Sequence, residues 1–155
     1  PMNNEPQYLS KEKHAELEAE LINLKTVDRK EVAATLDYAK SLGDLSENAE
    51  YQEARDKQAD IEDRIKEVES ILKNAVIVSG RHSGTADVGS KVTIKKTGGD
   101  QKEYLIVGSE EADMQAGKIS HLSPIGGALI GKKKSDVVQV STPKGAVEYT
   151  VVEVK

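Results

Sequence analysis

Ser41-Leu42-Gly43-Asp44-Leu45-Ser46 interrupts two long runs of helical periodicity, and its reading decides the fold. Before it, from Ser10 to Leu42, there is no proline or glycine, and Ala, Leu, Glu and Lys dominate, as a helix interior prefers. Ser10 suits the N-cap of this run. Leu17, Leu21 and Leu24 follow a 4,3 spacing, and after Asp28 the apolar stripe resumes at Val32, Leu36 and Ala39, a stutter in a heptad pattern. After the break, from Glu47 to Asn74, Ala54, Gln58, Ile61, Ile65, Val68 and Leu72 alternate at 4 and 3 and form the cleaner coiled-coil seam. Gly43 is placed to follow the first helix as its C′ residue, and Asp44 or Ser46 to cap the second. A turn this short makes the helices antiparallel. Thirty-odd residues rising ~1.5 Å each give an arm about 50 Å long, longer than a compact domain needs, so it is expected to reach into something.

Beyond Asn74 the period changes. Residues 75–78, 91–95, 103–107, 137–140 and 146–154 are short, β-branched and partly alternating, as strands are. Thr97-Gly98-Gly99-Asp100 and Thr142-Pro143-Lys144-Gly145 are turns between them, and 125–131 is a short helix or a loop. The expected fold is therefore α+β: a helical hairpin over residues 1–75, with its tip at about 42–50, then a small, mostly antiparallel domain over 76–155.

Composition narrows the chemistry. The 155 residues include no Phe, Trp or Cys, so the core is aliphatic, and neither a disulfide nor a thiolate site is possible. No apolar run approaches the ~20 residues of a membrane span. A cytoplasmic, monomeric protein is expected. Residues 1–75 hold 18 acidic and 11 basic side chains, whereas 76–155 hold 9 and 11. An acidic hairpin argues against free duplex DNA as the main ligand, because phosphate neutralisation dominates such binding. His14, His82 and His121 lack zinc spacing and are expected to be ordinary surface residues. Lys132-Lys133-Lys134 is more often a solvated turn than a nucleic-acid contact.

The tip is different. Asp44, Glu47 and Glu50 stand three apart, so on a helical start they share one side. Their ordinary role is to complement the helix dipole and cap free N–H groups. Two carboxylates alone cannot hold Mg²⁺, which takes about six oxygens, so a metal role here must be shared with a partner.

At these residues the sequence resembles the GreA/GreB family of bacterial transcript-cleavage factors, and its GreA branch most. The resemblance rests on Leu24-Lys25-Thr26-Val27-Asp28-Arg29, on Gly43 through Tyr51 with Ala54-Arg55, and on Ile119-Ser120, Ser123-Pro124-Ile125 and Leu129-Ile130-Gly131-Lys132. It implies a coiled-coil hairpin that enters the secondary channel of bacterial RNA polymerase and an FKBP-like second domain that docks at the rim. It further implies that Asp44 and Glu47 help the polymerase hold a second Mg²⁺ and orient the attacking water when backtracked RNA is cleaved, in a two-metal reaction carried out by the polymerase. Arg55 would meet the extruded RNA, or else pack on Tyr51 one turn back. Ser123 and Pro124 would contact the polymerase. The acidic hairpin favours action on short backtracks. The chain departs from the family at Lys30, where relatives often have proline, and at Gly127, where they often have a basic residue. Prolyl isomerisation, which the FKBP-like fold brings to mind, is rejected because the domain offers only Tyr104 and Tyr149 as pocket aromatics. The alternatives are an inhibitory paralogue that fills the channel without promoting cleavage and a non-catalytic adaptor that grips a partner with its hairpin. Both tip carboxylates count against the first, and Leu45 as the lone apolar tip residue counts against the second.

Overall fold

The structure is a computed structural model and describes residues 4–44, 47–78 and 84–155. Its elements are β1 (Gln7–Leu9), α1 (Lys11–Asn23), a π-helical turn (Leu24–Asp28), α2 (Arg29–Ser41), α3 (Ala49–Lys73), β2 (Ala75–Ile77), β3 (Lys91–Lys96), β4 (Gln101–Val107), β5 (Lys118–Ser120), α4 (Pro124–Leu129), β6 (Val137–Thr142) and β7 (Gly145–Val154). They fall into two compact units, one built on His14–Asn74 and the other on Pro6–Lys13 with Ala75–Lys155.

The stutter has a physical form. Leu17 to Leu24 and Val32 to Ala39 are steps of seven residues, but Leu24 to Val32 is a step of eight, and the π turn lies across that interval. A wider turn takes up one extra residue, so the apolar stripe stays on one side of the helix. Leu17, Leu24, Val32, Leu36 and Ala39 are buried accordingly. Leu24 and Val32 share a core with Ile61 and Ile65 of α3, against which Leu21 packs.

The seam of α3 differs from expectation at two places. Ala54, Ile61, Ile65 and Val68 are buried, but Gln58 is exposed, which leaves its amide in water instead of demanding buried partners. Near the end of the helix Ile71 is buried and Leu72 only partly.

Polar pairs flank the seam. Lys25 lies 3.8 Å from Glu69, and the Arg29 guanidinium donates two bonds to Glu62, at 2.9 and 2.7 Å. Arg64 grips Glu20 in the same forked manner at 2.8 and 2.9 Å. Glu62 is held below its usual 4.5, chiefly by the Arg29 hydrogen bond and against some desolvation, with the charges of Arg29 and Lys66 assisting. A depressed carboxylate contributes stability above its unfolded pKa and loses it as pH falls through the folded one. Glu62→Gln is therefore expected to lower the melting temperature of the hairpin slightly at neutral pH. The difference should close as pH is taken down through the acid side of 4.5, in thermal melts followed by circular dichroism.

In the second unit the sheet runs β5-β4-β3-β7-β6. The β3–β4, β3–β7 and β6–β7 pairs are antiparallel, as expected, but β4–β5 is parallel. A separate parallel pair joins β1 to β2, Gln7 facing Ala75 and Leu9 facing Ile77. Gly98 and Gly145 adopt positive φ in the two expected turns. Buried Val92, Ile94, Ile106, Ile119, Leu129, Val138, Val140 and Val151 form the core, and α4 supplies Leu129. Two glycines permit close approach. A Cβ at Gly108 would collide with the Tyr8 carbonyl, and one at Gly126 with the Ser120 carbonyl.

Candidate functional site

One asparagine bonds both helices of the hairpin beside the turn. Gly43, at φ +110°, follows the Leu42 C-cap as the expected C′ glycine, and its N–H bonds the Lys40 carbonyl at 3.4 Å. The cap of the second helix is neither Asp44 nor Ser46. It is Asn48, whose Oδ1 accepts from the Tyr51 N–H at 3.1 Å. The Asn48 amide also donates, through Nδ2, to the Ala39 carbonyl at 2.6 Å. An Asp carboxylate could supply the accepting oxygen but carries no hydrogen to give, whereas the Asn48 amide accepts through Oδ1 and donates one N–H bond to the last turn of α2. This ties the two helices together, satisfying a free donor of α3 and giving a second bond to the Ala39 carbonyl of α2, which also accepts from the Leu42 N–H at 3.1 Å.

That assignment moves the carboxylates. Since α3 starts at Ala49, Asp44 and Glu47 lie in the connection, and only Glu50 lies on the helix. The three do not share a helical face. Both Asp44 and Glu47 are exposed, and the N-cap position they might have served is taken by Asn48. Ser46 and Leu45 lie outside the described residues. Among the described residues no group of three His, Asp or Glu side chains is placed to hold a metal ion. Asp44 and Glu47 suit Mg²⁺ as hard, anionic oxygen donors, but two of them fill only part of its shell, so the donor set fits a shared ion and not a resident one.

Arg55 is exposed, with its guanidinium carbon 5.9 Å from the centroid of the Tyr51 ring, a cation–π arrangement one turn apart on α3. The packing expected as its ordinary role is present.

In the second unit, Ser123 and Pro124 build the start of α4. Ser123 Oγ accepts from the Gly126 N–H at 3.1 Å and donates to the Ser120 carbonyl at 2.6 Å, and Pro124 takes the first helical position. Ser123 is half-buried, and Pro124 is exposed. Beside them Leu122 is 68% exposed, a feature that sequence reading passed over because an isolated leucine carries no periodic signal. His121 is half-buried with its ring edge-on to Tyr8 at 5.2 Å, so it is not the ordinary surface residue expected. His14 pairs with Glu18 at 2.8 Å, and His82 lies outside the described residues.

Known proteins match over both units. Residues 7–77 match the family described as transcription elongation factor, N-terminal, and residues 81–155 match transcription elongation factor, GreA/GreB, C-term. The chain belongs to the GreA/GreB family of transcription elongation factors. It is 45% identical over 157 aligned positions to Transcription elongation factor GreA of Roseiflexus sp. (strain RS-1), covering 99% of this chain and 100% of the relative. GreA of Acetivibrio thermocellus is 47% identical over 142 positions, covering 90% of this chain and 89% of the relative. Among solved structures, GreA factor homolog 1 (Gfh1) of Thermus thermophilus is 30% identical, with 97% of this chain and 99% of that one covered and a TM-score of 0.44. Within this GreA/GreB family member, among the described residues, no helix is long and apolar enough to cross a membrane.

Proposed function

We propose that this factor inserts its hairpin into the secondary channel of bacterial RNA polymerase and stimulates the polymerase's own cleavage of backtracked RNA. The reading rests on one observation above all: Asn48 caps α3 and ties it to α2, which leaves Asp44 and Glu47 out of the capping role and exposed in the turn. Asp44 and Glu47 would complete the donor set of a Mg²⁺ held mainly by the polymerase. When bound, that ion supplies Lewis-acid stabilisation to the hydrolytic reaction. Glu47 and Asp44 then accept hydrogen bonds from the attacking water and orient it, while the Asn48 bridge fixes where the turn presents them. Arg55 leaves the Tyr51 ring to meet the extruded RNA phosphate, exchanging a solvent-exposed cation–π contact for a charge-assisted bond. The factor works as an accessory monomer in the cytoplasm, and the bond is broken in the polymerase active site.

The test is a stalled elongation complex carrying 5′-labelled RNA, with and without the protein. Shortened, extendable RNA is expected only when polymerase, Mg²⁺ and the factor are all present. Hydrolysis by the factor and Mg²⁺ alone would place the catalytic centre in the wrong molecule.

The second unit holds the factor at the channel rim through the segment around Ser123 and Pro124. Because Ser123 also caps α4, Ser123→Ala carries a folding cost of about 1 kcal/mol that is separate from docking. Leu122→Asp and Pro124→Glu alter exposed side chains instead. Each is expected to weaken binding in competition with the intact factor by about tenfold, with cleavage recovered at high concentration. Undiminished competition by both variants would move the docking surface elsewhere.

A further inference from the structure

The three central strands of the second unit, β4, β3 and β7, frame a cavity of about 240 Å³ lined by Ile94, Lys96, Asp100, Lys102, Tyr104 and Tyr149. Register brings these residues together from distant parts of the chain: Lys96 stands opposite Tyr149, and Ile94 opposite Lys102. Ile94 is buried, and the two tyrosines, half-buried, rest against the core. Lys96, Asp100 and Lys102 are exposed at the mouth.

These polar heads are uncommitted. Among the described residues, neither lysine ammonium nor the Asp100 carboxylate is in an ion pair, and neither tyrosine hydroxyl is in a hydrogen bond. The adjoining turn is held by other groups, Thr97 Oγ1 to Glu148 at 3.2 Å and Gln139 to Glu148 at 3.0 Å. The site therefore combines two cations, one anionic acceptor and two aromatic side chains, with none of them needed to hold the strands.

We propose that this cavity binds a single nucleoside phosphate. The phosphate takes the two lysines, the base lies against the tyrosines, and Asp100 accepts from a ribose hydroxyl or a base N–H. Aromatic stacking with a basic rim is how single-stranded nucleic acid is held without sequence readout. Size limits the ligand to one nucleotide, since pockets for drug-sized or larger ligands run from about 300 to 1,000 Å³. Inorganic phosphate would leave both rings and Asp100 unused, and an acidic peptide side chain brings no aromatic face to the tyrosines and no hydrogen to Asp100. The nucleotide can be free or can be the end of a single-stranded RNA, and the chemistry of the site is the same for both. The proposal stands apart from the role of the hairpin tip and survives if that role fails.

The test is an amide NMR titration of the full-length protein with UMP, AMP, a short oligouridylate and inorganic phosphate. Shifts are expected at Lys96, Asp100, Lys102, Tyr104 and Tyr149, with the nucleotides at least about tenfold tighter than phosphate. Oligouridylate binding more tightly than UMP would identify RNA as the source, and equal binding would identify a free nucleotide. Both results support the site. Lys96→Glu with Lys102→Glu alters only exposed side chains and is expected to weaken binding about tenfold or more. Tyr149→Leu keeps apolar contact with the core and is expected to remove the preference for nucleotide over phosphate. The proposal is overturned if phosphate binds as tightly as UMP, if an acidic peptide shifts the same amides more tightly, if the shifts cluster elsewhere, or if the double lysine variant binds like the parent.

Discussion

Asp44→Asn and Glu47→Gln are each expected to reduce factor-stimulated RNA cleavage by at least 10- to 100-fold while leaving the hairpin folded. That range is what removing a supporting group around a bound metal typically costs, and losing a direct anionic ligand costs no less. Neither side chain belongs to the buried stripe, and neither caps α3. The melting temperature and the ability to compete for polymerase should therefore match the parent. Were these carboxylates capping groups, the pattern would invert, with about 1 kcal/mol of lost stability and cleavage intact in the folded fraction. Recording cleavage rate, melting and polymerase competition on the same preparations separates the two.

Asn48→Ala should produce the other large effect, by a different route. It removes the N-cap bond to Tyr51, worth about 1 kcal/mol, and the bond to the Ala39 carbonyl, worth about the same. Roughly 2 kcal/mol is a large share of the stability of one helix pair. Both carboxylates remain, yet cleavage should fall because the turn that carries them loses its tie between α2 and α3. Asn48→Asp separates the two bonds: the cap oxygen is kept and the donor to Ala39 is lost, so its melting loss should be about half that of alanine. Hydrogen exchange at the Tyr51 and Gln52 amides reads the same loss locally. Equal exchange in parent and Asn48→Ala would show that the turn does not depend on this bridge.

The stutter at Asp28 was fully legible, because a spacing of eight where seven is the rule leaves one residue to be absorbed, and the structure absorbs it in the π turn at Leu24–Asp28. The turn between the helices was legible as a turn and not as a mechanism. Asp44, Ser46 and Asn48 are all good caps, and choosing among them requires knowing that the Ala39 carbonyl lies within reach of the Asn48 amide, a contact nine residues apart in sequence. The longer strands announced themselves by β-branched alternation. Gln7–Leu9 and Lys118–Ser120 did not, since three residues carry too little pattern, and each is set by a parallel partner elsewhere in the chain. For the same reason the meeting of Tyr104 and Tyr149 in one cavity was invisible: the register of β4, β3 and β7 decides it. Of the candidate site residues, Asp44 and Glu47 were visible through the motif around them. Leu122 was not, because its exposure beside Pro124 is a property of the fold.

The claim that Asp44 and Glu47 act by sharing a Mg²⁺ with the polymerase is tested most directly by the Mg²⁺ dependence of cleavage in a backtracked complex. The rate would be measured at saturating factor for the parent, Asp44→Asn and Glu47→Gln. A weakened donor set needs more metal, so both variants are expected to reach half-maximal rate at higher Mg²⁺ and to approach the parent as Mg²⁺ is raised. Variants that stay slow with the same half-saturating Mg²⁺ as the parent, or that match its rate at limiting Mg²⁺, would contradict it.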